Sequence, residues 1–145
     1  MEPMTLVEHI MTKKVITIKP DCQLKEAAAI FNQHHLRHLP VVKNKEIRGI
    51  LSKTDLLRMC FAGQFGEKEN DLDEVILGTL TLEDVMVKNV ITVKPGNTVE
   101  EAAEMLLSRE FHALPVVDQG KIEGIITTTD IIRHFLEQSR NRKNS

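Results

Sequence analysis

The stretch from Gly49 to Leu57 reads GILSKTDLL, and the same grammar returns from Gly124 to Ile132 as GIITTTDII. In each copy a glycine and apolar residues of a strand end run into a hydroxyl-rich turn, an aspartate and the start of an amphipathic helix. Such a strand-to-helix corner gathers polar groups at one spot. Ser52, Thr54 and Asp55, with Thr127, Thr129 and Asp130 in the second copy, set short hydroxyls and a carboxylate beside the exposed amides of a helix N-terminus. The pattern is that of a binding corner or of a well-capped helix. Ser52-x-x-Asp55 and Thr127-x-x-Asp130 both have capping-box spacing, and taken alone capping is the commoner cause.

Outward from these corners, a shift of 75 residues aligns Glu8 through Arg58 with Glu83 through Arg133 without a gap, with about 21 of 51 positions identical. Duplication of one folding unit is the simplest explanation. Each unit starts with a short segment of roughly helical spacing, LVEHIM or LEDVM, whose last methionine is expected to pack inward. A β-branched VIT strand follows, ended by Pro20 or Pro95. Next comes an amphipathic helix, with Leu24, Ala27, Ala28 and Phe31, or Val99, Ala102, Ala103 and Leu106, on one face. Thr98 and Glu101 form a capping box at the second of these helices, whereas Gln23 stands in that place in the first, so Asp21 or Cys22 is expected to open it. LPVV and a second apolar run then make a hairpin around KNKE or DQGK.

The fold class read from this order is α+β, built of two β-α-β-β-α repeats with a right-handed first crossover. The expected boundaries are a first repeat over 1–61, a partly helical linker over 62–81, a second repeat over 82–137 and a flexible tail over 138–145. The linker has loop formers at Gly63 and Gly66, then charge, then a brief apolar group at Val75 to Leu77, read as its helical part.

A chain of 145 residues is long enough to bury a substantial core. A net charge of −2, from 19 basic and 21 acidic residues, supplies no global field for nucleic acid or an anionic membrane. Five Phe with no Trp or Tyr leave little for bases to stack on, so the basic tail residues Arg140, Arg142 and Lys143 read as a solvated end rather than a nucleic-acid arm. No apolar run reaches the ~20 residues of a membrane helix, and no leader pattern opens the chain, so the expected location is cytoplasmic. Cys22 and Cys60 lack metal or disulfide spacing.

With VIT(I/V)KP, a helix, LPVV and G-h-h-(S/T)-x-T-D each occurring twice in fixed order, the chain resembles a tandem pair of cystathionine-β-synthase (CBS) domains over nearly its whole length. The resemblance implies two repeats related by a pseudo-twofold axis, with clefts between them for an adenosine-containing ligand: AMP, ADP, ATP or S-adenosylmethionine. It implies a ribose held by Asp55 or Asp130, with Ser52 and Thr54, or Thr127 and Thr129, bonding to ribose or phosphate. Ile16, Ile50, Ile91 and Ile125 would form apolar walls, and backbone near Thr17 and Thr92 would read the adenine edge. Arg37 and His38 are the phosphate candidates of the first unit. In the second, His112 stands in the place of Arg37 and Ala113 in that of His38, so the two sites are expected to be unequal.

By the same resemblance the chain is a regulatory, energy-sensing module that requires no cofactor, assembles as a homodimer and signals to an effector protein whose identity is unknown. The alternative is a structural dimerisation or adaptor module with no ligand. Apolar residues on the second helix of each unit, Leu56, Leu57, Met59, Cys60 and Phe61 or Ile131, Ile132, Phe135 and Leu136, exceed what one small sheet covers. His34, His35 and His38 are the nearest thing to a metal cluster, but no Glu or Cys completes a set, and a solvated turn or phosphate contact is the better reading. Nothing has the pattern of an activated nucleophile or a phosphate loop, so catalytic residues and metal ligands are both expected to be absent.

Overall fold

The computed structural model describes residues 4–61, 78–109 and 111–143. The elements are α1 (Val7–Ile10), α2 (Leu24–His34), β1 (His38–Lys43), β2 (Glu46–Ser52), α3 (Lys53–Phe61), α4 (Leu82–Val85), α5 (Val99–Arg109), β3 (Ala113–Asp118), β4 (Lys121–Thr127) and α6 (Thr128–Lys143). They fall into two compact units, Ile16–Val90 and the combination of Met1–Val15 with Ile91–Ser145. The expected helix near Val75 to Leu77 lies outside the described residues.

Each unit is built on an antiparallel hairpin. In the first, β1 pairs with β2 from His38 opposite Ser52 to Lys43 opposite Glu46, with a bulge between Val41 and Val42. In the second, β3 pairs with β4 from Ala113 opposite Thr127 to Asp118 opposite Lys121, with its bulge between Val116 and Val117. The turns are two residues long with left-handed backbone at both, Asn44 and Lys45 in one and Gln119 and Gly120 in the other. That twist matches the flanking strands.

Pro40 and Pro115 lie within strands without loss because their backbone faces away from the hairpin partner. The Pro40 carbonyl accepts from the Ile18 N–H at 3.0 Å, and the Pro115 carbonyl accepts from Val93 N–H at 3.0 Å. These contacts correct the expected VIT strands. Each is an extended segment joined to its hairpin by a single parallel bridge, Ile18 to Val41 or Val93 to Val116. The proline two residues later breaks the ladder before it can lengthen.

The leading segments end up somewhere that the repeat period could not reveal. Leu82 and Val85 of α4 are buried in the core of Leu24, Ala27, Phe31, Leu39, Val41, Leu51 and Leu56, although in sequence they open the second repeat. Reciprocally, Val7 of α1 is buried with Val93, Val99, Ala102, Leu106, Leu114, Val116 and Ile126. Each compact unit thus takes its leading segment from the other copy. Burying a leucine or valine stabilises by about 1.5–3 kcal/mol, which is ample to hold a four-residue helix that could not persist alone.

Two further expectations are corrected. Helix α2 is opened by Gln23 itself, with extended backbone and no side-chain cap, rather than by Asp21 or Cys22. Within the stretch expected to be a flexible tail from residue 138, α6 continues to Lys143. Glu137, Gln138, Arg140, Arg142 and Lys143 are mostly good helix formers, and the terminal cations suit the negative end of the helix dipole, so no apolar anchor is needed.

Candidate functional site

In the first unit, β2 ends at Ser52 and α3 begins at Lys53, with no intervening loop. The Lys53 N–H donates to the Arg37 carbonyl at 2.8 Å, and His38 lies opposite Ser52 in the hairpin. Arg37, His38, Ser52, Thr54 and Asp55 are therefore gathered at one end of the hairpin. In the second unit the Thr128 N–H donates to the His112 carbonyl at 3.0 Å, bringing His112 to Thr127, Thr129 and Asp130 in the same way. That cross-strand bond was not legible as a motif; its only trace is the constant distance between LPVV and the corner.

The aspartates differ. Asp130 closes a complete capping box: its N–H donates to the Thr127 Oγ1 at 3.2 Å and its Oδ2 accepts from the Thr127 N–H at 3.0 Å. Its Oδ1 faces Arg133 at 3.6 Å, and its side chain is 9% exposed. Asp55 makes only half a box, donating its N–H to the Ser52 Oγ at 2.9 Å. Its Oδ1 accepts from Arg58 at 3.4 Å, and its side chain is 33% exposed. The first corner thus keeps a carboxylate oxygen with no hydrogen bond among the described residues. It also has Arg37, whose guanidinium makes no ion pair among the described residues.

The expected apolar walls are distributed in the same way. Ile16 is half-buried against the core of the first unit and Ile91 against that of the second. Ile50 is half-buried and exchanges backbone hydrogen bonds with Val87 at 3.0 and 2.9 Å. Ile125 is buried and does the same with Thr12. Thr17 is exposed and Thr92 half-buried, and neither belongs to a helix or a strand.

Gly49 and Gly124 serve close packing. A Cβ on Gly49 would lie 2.7 Å from the Met86 Sδ and 2.8 Å from the Val87 carbonyl, and one on Gly124 would lie 2.6 Å from the Met11 Sδ and 2.8 Å from the Thr12 carbonyl. The methionines expected to pack inward sit over these glycines.

Helix α2 stops at His34, and His35 turns into left-handed backbone, so His34 and His38 share no helix face. Among the described residues no three His, Cys, Asp or Glu are grouped to hold a metal. Burial and the neighbouring Glu26 raise the Cys22 thiol to about 11, which keeps it protonated and unreactive at neutral pH. No described helix is long and apolar enough to cross a membrane.

The profile of the CBS domain matches residues 7–61 and 73–137. The chain belongs to the CBS domain family. A crystallised CBS domain pair of protein MJ0100, in complex with 5′-methylthioadenosine and S-adenosyl-L-methionine, has a TM-score of 0.78 and 30% identity, covering 94% of this chain and 99% of that one. The CBS protein CBSX2, crystallised in complex with AMP, has a TM-score of 0.77 and 28% identity, covering 93% of this chain and 98% of that one. An uncharacterised protein of Methanocaldococcus jannaschii, MJ1225, is 29% identical over 131 residues. That match takes in 90% of this chain and 47% of the relative, so the chain spans about half of that protein's length.

Proposed function

We propose that this CBS chain is a regulatory module, and not an enzyme, that binds an adenosine-containing ligand at its hydroxyl-and-aspartate corners and alters the interaction with a partner protein. The observation that carries this reading is the open Asp55 corner, where a partly free carboxylate, two hydroxyls, Arg37 and His38 converge. The ligands of the two similar structures, AMP in one and S-adenosylmethionine with 5′-methylthioadenosine in the other, support the ligand class. A carboxylate accepts both ribose hydroxyls, and the helix amides with Arg37 favour a phosphate or carboxylate beyond. Binding changes the partner interaction only if the ligand has different affinity for two arrangements of the chain.

Thermal unfolding with AMP, ADP, ATP and S-adenosylmethionine tests the reading. A ligand at ~100 times its dissociation constant adds about 2.7 kcal/mol of stability. If none of the four raises the melting temperature, the chain is a structural pairing module. The closed capping box at Asp130 favours that second reading for the second corner, because its carboxylate is already committed to its own helix.

We also propose a homodimer. Ile132 (59% exposed), Phe135 (44%) and Leu136 (50%) form an apolar stripe on α6, while Ile131 on the same helix is buried. Phe135→Glu is expected to shift the mass measured by light scattering toward a monomer, because a carboxylate buried without a partner is costly. Arg133→Glu should leave the mass closer to that of the dimer, since rim charges matter less. A monomer mass for the unaltered chain, with and without nucleotide, refutes the dimer.

A further inference from the structure

The unit Ile16–Val90 holds a concavity of about 350 Å³, lined by Pro20, Lys43, Arg48, Glu83, Met86 and Lys88. It lies toward the turn end of the hairpin, with Lys43 at the end of β1, Arg48 near the start of β2 and Lys88 just beyond α4. Arg48 is four residues along β2 from Ser52, roughly 13 Å at the rise of a strand, so this is a place apart from the Asp55 corner.

Three cations against one carboxylate leave the lining with an excess of two positive charges. Arg48 has a single ion pair among the described residues, to Glu46 at 3.8 Å, and both side chains are about half exposed, so that pair is weak. Neither Lys43 nor Lys88 makes an ion pair among the described residues, although Lys88 lies close enough to Asp84 to help lower its carboxyl below the usual range, after the hydrogen bonds from Thr81.

The internal repeat is a control on whether the fold needs these charges. Seventy-five residues away in register, the equivalents of Pro20, Lys43, Arg48, Glu83, Met86 and Lys88 are Pro95, Asp118, Glu123, Glu8, Met11 and Lys13. The hairpin registers and bulges of the two units correspond position by position. One backbone frame thus carries an excess of two positive charges in one unit and, from three carboxylates and one lysine, two negative charges in the other. The fold is indifferent to their sign. A net charge near zero also excludes the basic cluster as a by-product of a basic chain.

We infer that this basic concavity is a binding site for an anion with several adjacent negative charges, the chemistry of a di- or triphosphate. Lys43 and Lys88 act as mobile point charges, and the planar fork of Arg48 grips two phosphate oxygens at once. The volume is that of roughly ten waters, enough for a short phosphate chain. The site stands or falls independently of the adenosine reading.

The test is calorimetric titration of the full chain with inorganic triphosphate at low and physiological salt. The expected result is one site per chain, weakening as salt screens its exposed cations. Lys43→Asp combined with Arg48→Glu installs the residues that the other unit already carries in the same frame, and is expected to lower affinity more than about tenfold, or ~1.4 kcal/mol. Asp118→Lys with Glu123→Arg recreates the basic set in the other unit and should raise the stoichiometry from one to two. Adenosine, which has no phosphate, should not displace triphosphate. Competition by ATP at the reversal-sensitive site would identify a nucleotide's phosphate tail as the source, and triphosphate binding without it would identify a free polyphosphate. The proposal is overturned if the unaltered chain takes up no triphosphate, or if adenosine displaces it. Unchanged affinity in the folded reversal variant, or a stoichiometry still at one in the folded graft, also overturns it. Melting curves of both variants establish that they are folded.

Discussion

Asp55→Ala is expected to weaken binding of the adenosine ligand by about ten- to a hundredfold, because a hydrogen bond to a charged group contributes ~1.5–3 kcal/mol and tenfold in affinity is ~1.4. Its effect on stability should be small, since the cap on α3 comes from the Ser52 hydroxyl and Asp55 contributes its backbone N–H, which alanine keeps. Asp130→Ala is expected to divide its effect differently. It removes the acceptor of the Thr127 N–H and the partner of Arg133, so a loss of about 0.5–2 kcal/mol in stability should accompany any loss of affinity. Melting temperatures and titrations on the same preparations separate the two effects, with Asp→Asn as the milder control. Unchanged affinity in a folded Asp55→Ala chain would remove the ribose assignment from that corner.

The second large effect concerns the glycines beneath the leading segments. Gly124→Ala and Gly49→Ala should each cost about 1–3 kcal/mol, the usual penalty of overpacking, which for a chain of this size lowers the melting temperature by roughly 2–4 °C per kcal/mol. The methionine sulfur nearest each new methyl group can swing aside. The carbonyl at 2.8 Å cannot, because the Thr12 carbonyl accepts from the Ile125 N–H at 3.0 Å and the Val87 carbonyl from the Ile50 N–H at 3.0 Å. Relief requires lifting the leading segment off the hairpin, exposing Val7 in one unit or Leu82 and Val85 in the other. Gly96→Ala is the control: nothing lies within 4 Å of its would-be Cβ and its φ is not left-handed. A Gly124→Ala chain that melts with the Gly96→Ala control would show that the close approach imposes no constraint.

Much of this was legible in the residues. The 75-residue period, the apolar spacing of α2 and α5, the turn formers between paired runs and the S/T-x-x-D corners are local patterns, and local patterns are what periodicity and capping rules read. The family and the α+β class followed from the order in which those patterns recur. The sequence also placed Gly49 and Gly124 at equivalent positions, without saying whether a ligand or a backbone approaches them.

What only the tertiary structure decided depends on contacts between residues far apart in the chain. A repeat looks the same whether its first segment packs on its own copy or on the other, so the exchange of α1 and α4 appears only when Val7 and Leu82 are seen in their cores. The VIT segments have strand composition, yet strand content is set by hydrogen bonds to a neighbour, and each finds one bridge. Asp55 and Asp130 are the same residue in the same motif. The return bond from the Thr127 N–H to the Asp130 carboxylate, and the fractional exposure of each side chain, make one a committed cap and leave the other more exposed, with half the capping box unmade.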